Sequence, residues 1–126
     1  LQTSYYKKTI IELDDYGKYK PTYYVRNDPN VVSIAGRAPI WFTGREYKKL
    51  APKYWFFKRY KEDGDIDFYA EQYYKEVLSK LNAQEVYDEL GHDAILLCWE
   101  MPNEFCHRHI VAGWFESELG IEVSEL

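Results

Sequence analysis

The stretch Ile95-Leu96-Leu97-Cys98-Trp99-Glu100-Met101-Pro102-Asn103-Glu104-Phe105-Cys106-His107-Arg108 holds most of the chemically capable side chains of this chain. An apolar run ends in Cys98 and Glu100. A Pro102-Asn103 turn follows, and a helix opens with Cys106, His107 and Arg108 in its first turn. The junction of strand end and helix start is where open α/β sheets bind ligands. At about 100° per residue, Cys106, Ile110 and Trp114 share one side of that helix, while Val111, Ala112, Phe115 and Leu119 share another. Arg108 falls inside the apolar sector, where a lone buried charge is strongly unfavourable. It must therefore meet an anion or a carboxylate, and Glu100 is the nearest carboxylate in sequence.

Three chemistries compete for the cluster. In a structural reading, Arg108 and Glu100 form a buried ion pair and Cys98 and Cys106 are small apolar fillers. In a ligand reading, the helix amides and Arg108 hold a phosphate or carboxylate. In a catalytic reading, Cys106 is a nucleophile activated by the helix N-terminus, His107 and Arg108. Glu100 is the alternative catalytic residue, as nucleophile or general base on a glycosidic bond. Zinc is the weakest reading, because Cys106, His107 and His109 are adjacent rather than spaced as ligands usually are. No metal and no cofactor is assigned. The arginine also follows the cysteine too closely for the Cys-x5-Arg loop of cysteine phosphatases.

These residues need a scaffold. Leu1–Tyr6 reads as a strand, and Val31–Ala35 and Ala94–Cys98 as buried parallel strands, being short, apolar and uninterrupted. Asp14-Asp15-Tyr16-Gly17 marks a turn, Lys7–Asp15 fits helix or strand, and Tyr23–Val25 is β-like. Helical pieces are expected at 46–50 and 52–61, with Pro52 at a first helical position. The surest helix is Ile66–Leu81, whose Ala70, Tyr73, Tyr74, Val77 and Leu78 make one apolar face. A short helix at Gln84–Leu90 stops at Gly91, one at Asn103–Leu119 stops at Gly120, and Ile121–Val123 offers a last strand. Strands separated by helical crossovers predict a mostly parallel, Rossmann-like α/β sheet flanked by helices, with residues 1–126 as a single domain. If the strands near 1–6, 31–35 and 94–98 are neighbours, their ends bring Thr3, Ser4, Tyr5, Arg37, Cys98 and Glu100 to one rim with Cys106, His107 and Arg108. Trp41, Phe42 or Tyr47 would stack on a base there.

A formal charge of −5 argues against general nucleic-acid binding, which needs a basic surface. The two cysteines do not make a disulfide scaffold, although a Cys98–Cys106 bridge is conceivable. The default setting is reducing and cytoplasmic, with no membrane span expected. The 13 tyrosines suit half-buried surfaces and ligand walls.

Thr3-Ser4-Tyr5-Tyr6, Ser33-Ile34-Ala35-Gly36-Arg37-Ala38-Pro39, Leu50-Ala51-Pro52, Leu96-Leu97-Cys98-Trp99-Glu100 and Phe105-Cys106-His107-Arg108-His109 resemble the bacterial and phage family called domain of unknown function 488. The resemblance spans nearly the whole chain and implies a small three-layer α/β domain of Rossmann-like character. It implies no particular activity. The Asp14–Asp28 region, rich in Tyr and Lys, reads as an insertion particular to this chain. The leading expectation is binding of an anionic, nucleotide-derived small molecule at Thr3, Ser4, Tyr5, Arg37, Cys98, Glu100, His107 and Arg108, to sequester or sense a nucleotide signal. The alternatives are an enzyme working through Glu100 or Cys106, and a protein-interaction module presenting an aromatic surface.

Overall fold

The computed structural model describes residues 1–100 and 104–126. The chain runs through β1 (Gln2–Tyr5), β2 (Thr9–Ile10), β3 (Tyr23–Tyr24), β4 (Val31–Ser33), β5 (Arg45–Glu46), α1 (Tyr54–Asp63), α2 (Ile66–Glu76), α3 (Ala83–Leu90), β6 (Ile95–Cys98), α4 (His107–Leu119) and β7 (Ser124–Glu125). Five strands form one sheet in the order β5-β4-β6-β1-β7, and every neighbouring pair is parallel. The expected α/β sheet flanked by helices is present.

The central strands β4 and β6 are buried along their whole length; β6 is an unbroken apolar run, and the one polar residue of β4, Ser33, shares a 2.6 Å hydrogen bond with the Tyr6 hydroxyl. Val32 and Leu96 are register partners and belong to the larger core, with Phe56 of α1, Tyr69 and Tyr73 of α2, Val86 and Leu90 of α3, and Val111 and Phe115 of α4. Val31, Ile95 and Leu97 belong to a second, smaller core with Tyr6, Val25 and Ala35. Ile10, Phe42 and Leu126 pack against that second core, so its cover is loop and hairpin rather than α-helix. The expected third layer is present in that reduced form, because the segment after β1 folds back as an antiparallel β2–β3 hairpin. Of Lys7–Asp15, which fitted helix or strand, only Thr9–Ile10 is strand, with an isolated bridge from Leu13 to Tyr19.

Local signals set most helix ends. Asp65 accepts a hydrogen bond from the Phe68 amide at 3.1 Å and starts α2; Asn82 does the same for Glu85 at 3.0 Å and starts α3. Gly120, at φ 65°, adopts the left-handed conformation that closes α4. Four expectations shift. Pro52 lies before the α1 N-cap, Lys53, whose extended backbone delays the helix. The helix expected to reach Leu81 stops at Glu76, because Val77 leaves helical geometry (φ −120°, ψ −70°) and a 3-10 turn at Leu78–Lys80 carries the apolar pattern onward. The helical piece expected at 46–50 is reduced to a 3-10 turn at Lys48–Leu50, and Arg45–Glu46 adds an edge strand beside β4. The last strand lies at Ser124–Glu125 instead of Ile121–Val123 and pairs with β1. The expected Pro102-Asn103 turn lies outside the described residues, and α4 begins at His107 with Cys106 as its extended N-cap.

The topology defines one privileged place. From β4 the next strand of the sheet is β5, on one side; from the adjacent β6 it is β7, on the other. Connections from two neighbouring parallel strands therefore diverge, which opens a crevice beyond their C-terminal ends.

Candidate functional site

A pocket of about 570 Å³ occupies that crevice. Ala35, Gly36 and Arg37 line it from the end of β4, and Cys98, Trp99 and Glu100 from the end of β6. Tyr54, Phe57 and Tyr60 recur every third residue on α1 and form a wall with Tyr69 of α2. Phe105, Cys106 and His107 close it where α4 begins. Two contacts fix the rim. The Trp99 indole donates to the Arg37 carbonyl at 2.8 Å, tying the two strand ends together, and Lys61 of α1 sits 3.2 Å from the Glu100 carboxylate.

His107 is buried. Its Nε2 lies 2.7 Å from the Ile34 carbonyl. A carbonyl accepts only, so Nε2 carries the hydrogen and Nδ1 presents its lone pair. That lone pair faces Cys106 Sγ at 3.7 Å. Burial, with help from the Arg108 charge, pushes the imidazole down to about 4 against the pull of the Ile34 bond and Glu100. It is neutral at pH 7. Burial pushes the Tyr69 hydroxyl up, and the negative charge of Glu100 adds to the effect. The polar end of the pocket is thus a carboxylate, a neutral imidazole and two sulfur atoms.

Those sulfur atoms are joined: Cys98 and Cys106 form a disulfide. A nucleophilic Cys106 therefore requires prior reduction of this bond. The ligand atoms of Cys98, Cys106 and His107 all lie within 4.8 Å of one another.

Arg37, Cys98, Glu100, Cys106 and His107 come together as the sequence suggested. Thr3, Ser4, Tyr5 and Arg108 do not line this pocket. Arg108 is fully buried and its charge is met inside the protein. Nε lies 3.2 Å from both oxygens of Glu125 and Nη2 lies 2.9 Å from Oε2. Nη1 donates to the Glu100 carbonyl at 2.6 Å and to Cys98 Sγ at 3.0 Å. The expected carboxylate partner was Glu100; the actual one is Glu125, and Glu100 contributes its backbone oxygen. Thr3 Oγ1 donates to the same Glu125 carboxylate at 2.5 Å. Burial works to raise the Glu125 carboxyl, but bonds from Arg108 and Thr3 outweigh it and hold the group below its ordinary 4.5. Ser4 Oγ is the buried side-chain polar atom without a partner among the described residues. The Tyr5 ring lies 5.9 Å from the Arg108 guanidinium carbon.

The aromatic partners also differ from expectation. Trp41 and Phe42 line a separate pocket of about 560 Å³ with Lys7 and Arg26. Tyr47 is buried and its hydroxyl donates to Glu89. The stacking surfaces beside Glu100 are those of Tyr60, Tyr69, Phe57 and Trp99. Their signal in the sequence was the Tyr54-Phe57-Tyr60 spacing, one face of a helix. Glu125 could have been sought from the demand of a buried Arg108, since β7 delivers it beside Thr3.

A parallel α/β sheet with its crevice at the strand-order reversal defines a Rossmann-like protein in the broad sense. The chain belongs to the DUF488-N3a family, described as the active DUF488-N3 subclade, whose model matches residues 25–119. No curated protein and no solved structure matches the chain. Among the described residues, no helix is long and apolar enough to cross a membrane.

Proposed function

We propose that the crevice between the ends of β4 and β6 binds a small anionic molecule derived from a nucleotide. One observation carries this reading: an aromatic-walled pocket has a cation, Arg37, on one strand end and a carboxylate, Glu100, on the other. Its volume of about 570 Å³ suits a small molecule. A base would lie against Tyr60, Tyr69 or Trp99, and Glu100 would accept from ribose hydroxyls. Arg37 is exposed, and among the described residues no carboxylate pairs with it, so it is the group available to a phosphate. Arg108 leaves this role to Arg37 because Glu125 already neutralises it.

A thermal-shift series with nucleoside phosphates and ADP-ribose derivatives tests the reading. At about 100 times its Kd, a ligand adds about 2.7 kcal/mol of stability, a shift of several degrees. Arg37→Ala should weaken the interaction about tenfold or more, the worth of one charge-assisted hydrogen bond. If no compound in the series shifts the wild type, the reading fails.

A second reading, enzymatic action on a nucleotide or glycosidic bond, is favoured by Glu100, Cys106 and His107 sharing the same pocket and by membership of the active DUF488-N3 subclade. Glu100→Gln and Cys106→Ser separate the two. Loss of turnover with retained binding favours catalysis through the altered residue. Unchanged turnover in both removes it.

A further inference from the structure

We propose that, once the Cys98–Cys106 bond is reduced, Cys98, Cys106 and His107 form a binding site for a thiophilic divalent cation of the zinc class, with a fourth coordination position open to the pocket. The proposal goes beyond ligand binding and stands whether or not a nucleotide occupies the crevice.

The donor set comes first. Two thiolates and an imidazole are a Cys2His set, and three protein ligands with one free position are what zinc sites open to small molecules use. The three ligand atoms already lie within 4.8 Å of one another, and all three residues are buried. Each is held by rigid backbone: Cys98 ends β6, Cys106 caps α4, and His107 is the first residue of α4. The open side follows from the pocket, since the same three residues line it.

The surroundings fit the same reading. A metal-bound histidine usually donates its second N–H to a carbonyl or carboxylate, which fixes its tautomer. His107 does this toward Ile34 at 2.7 Å, and its free Nδ1 points to the sulfur side. Arg108 Nη1 lies 3.0 Å from Cys98 Sγ. A guanidinium N–H gains most from a sulfur that carries negative charge, as a metal-bound thiolate does. Two buried thiolates alone would repel each other, and a dication cancels their charge.

The chemistry balances. A thiol or phosphine reductant supplies two electrons and, with two protons from solvent, converts the disulfide into two thiols while becoming oxidised itself. Binding of the cation then releases both thiol protons. The disulfide and the metal use the same two sulfur atoms, so each excludes the other.

The test uses the full chain, reduced with a phosphine under anaerobic conditions, freed of metal, and titrated first with Co²⁺ and then with Zn²⁺, without nucleotide. One equivalent of Co²⁺ should produce the thiolate charge-transfer band and the intense visible bands of tetrahedral cobalt, and Zn²⁺ should displace it. The disulfide form should give no such spectrum. Cys106→Ser and His107→Gln should each weaken binding about 100-fold or more. X-ray absorption on the zinc-loaded wild type needs no variant. It should report two sulfur ligands near 2.3 Å and one nitrogen at about 2.0–2.1 Å. Three results overturn the proposal: no tetrahedral cobalt spectrum once both thiols are titratable, a disulfide that no reductant opens in the folded protein, or a scattering shell without sulfur.

Discussion

His107 and Arg108 are neighbours on the first turn of α4, and both are buried. Their surroundings are opposite. His107 lines a cavity, with one ring nitrogen fixed by Ile34 and the other facing sulfur. Arg108 is enclosed by Glu125, the Glu100 carbonyl and Cys98. The rotation of about 100° between successive helical residues separates a side chain that faces a cavity from one whose charge is met by a carboxylate of the same chain. Polar burial alone does not reveal a binding residue; what matters is whether the partner is supplied by the fold.

The sharpest way to break this contrast is Arg108→Met. It removes the cation from a pair whose carboxylate, Glu125, still reaches solvent, and it leaves the Glu100 carbonyl without its charged donor, so stability should fall by about 1.5–3 kcal/mol. Urea unfolding monitored by circular dichroism checks the value. A loss within about 0.5 kcal/mol, the range of a surface change, would mean that Arg108 is not structural at all.

Next comes the acid response of His107. Its folded value is about 4 against an ordinary 6.5, so the unfolded chain binds a proton that the folded chain refuses. The contribution is fully present above pH 6.5 and is lost as pH falls toward 4, below which it is constant. The whole span is about 3 kcal/mol. Denaturant midpoints of the metal-free disulfide form between these limits should show the slope, and His107→Gln should flatten it. The Glu125 contribution enters lower, as pH falls below 4.5, so the two slopes separate.

The smallest effect belongs to the exposed side of the pocket. Arg37→Ala should change unfolding stability by no more than about 0.5 kcal/mol, because its guanidinium lies on the surface. A loss as large as that of Arg108→Met would erase the distinction between the two arginines.

Much of the architecture was legible because local rules agree with the fold. Val31, Val32 and Ile95–Cys98 are apolar on both faces because both faces are covered. Asp65, Asn82, Gly91 and Gly120 mark helix ends through backbone chemistry that a single sequence displays. Arg37, Cys98 and Glu100 could be placed on one rim because parallel neighbours deliver their C-terminal ends together. Arg108 was correctly read as a charge in an apolar sector, but its partner was not. Glu125 reaches it through a strand pairing with β1 that no local pattern encodes. Thr3 and Ser4 were on the right strand, yet neither lines the pocket, and Thr3 belongs to the ion pair. The Cys2His grouping was missed for a related reason, since ligand spacing rules assume donors carried on a single short loop or helix.

One guanidinium nitrogen joins the two halves of this contrast. Arg108 Nη1 holds the Glu100 carbonyl and the Cys98 sulfur from behind, and both residues form the crevice wall. The rest of the same guanidinium is clamped by Glu125 on the opposite edge of the sheet. One planar group thereby pins the C-terminal edge strand and the masonry of a cavity two strands away to a common point.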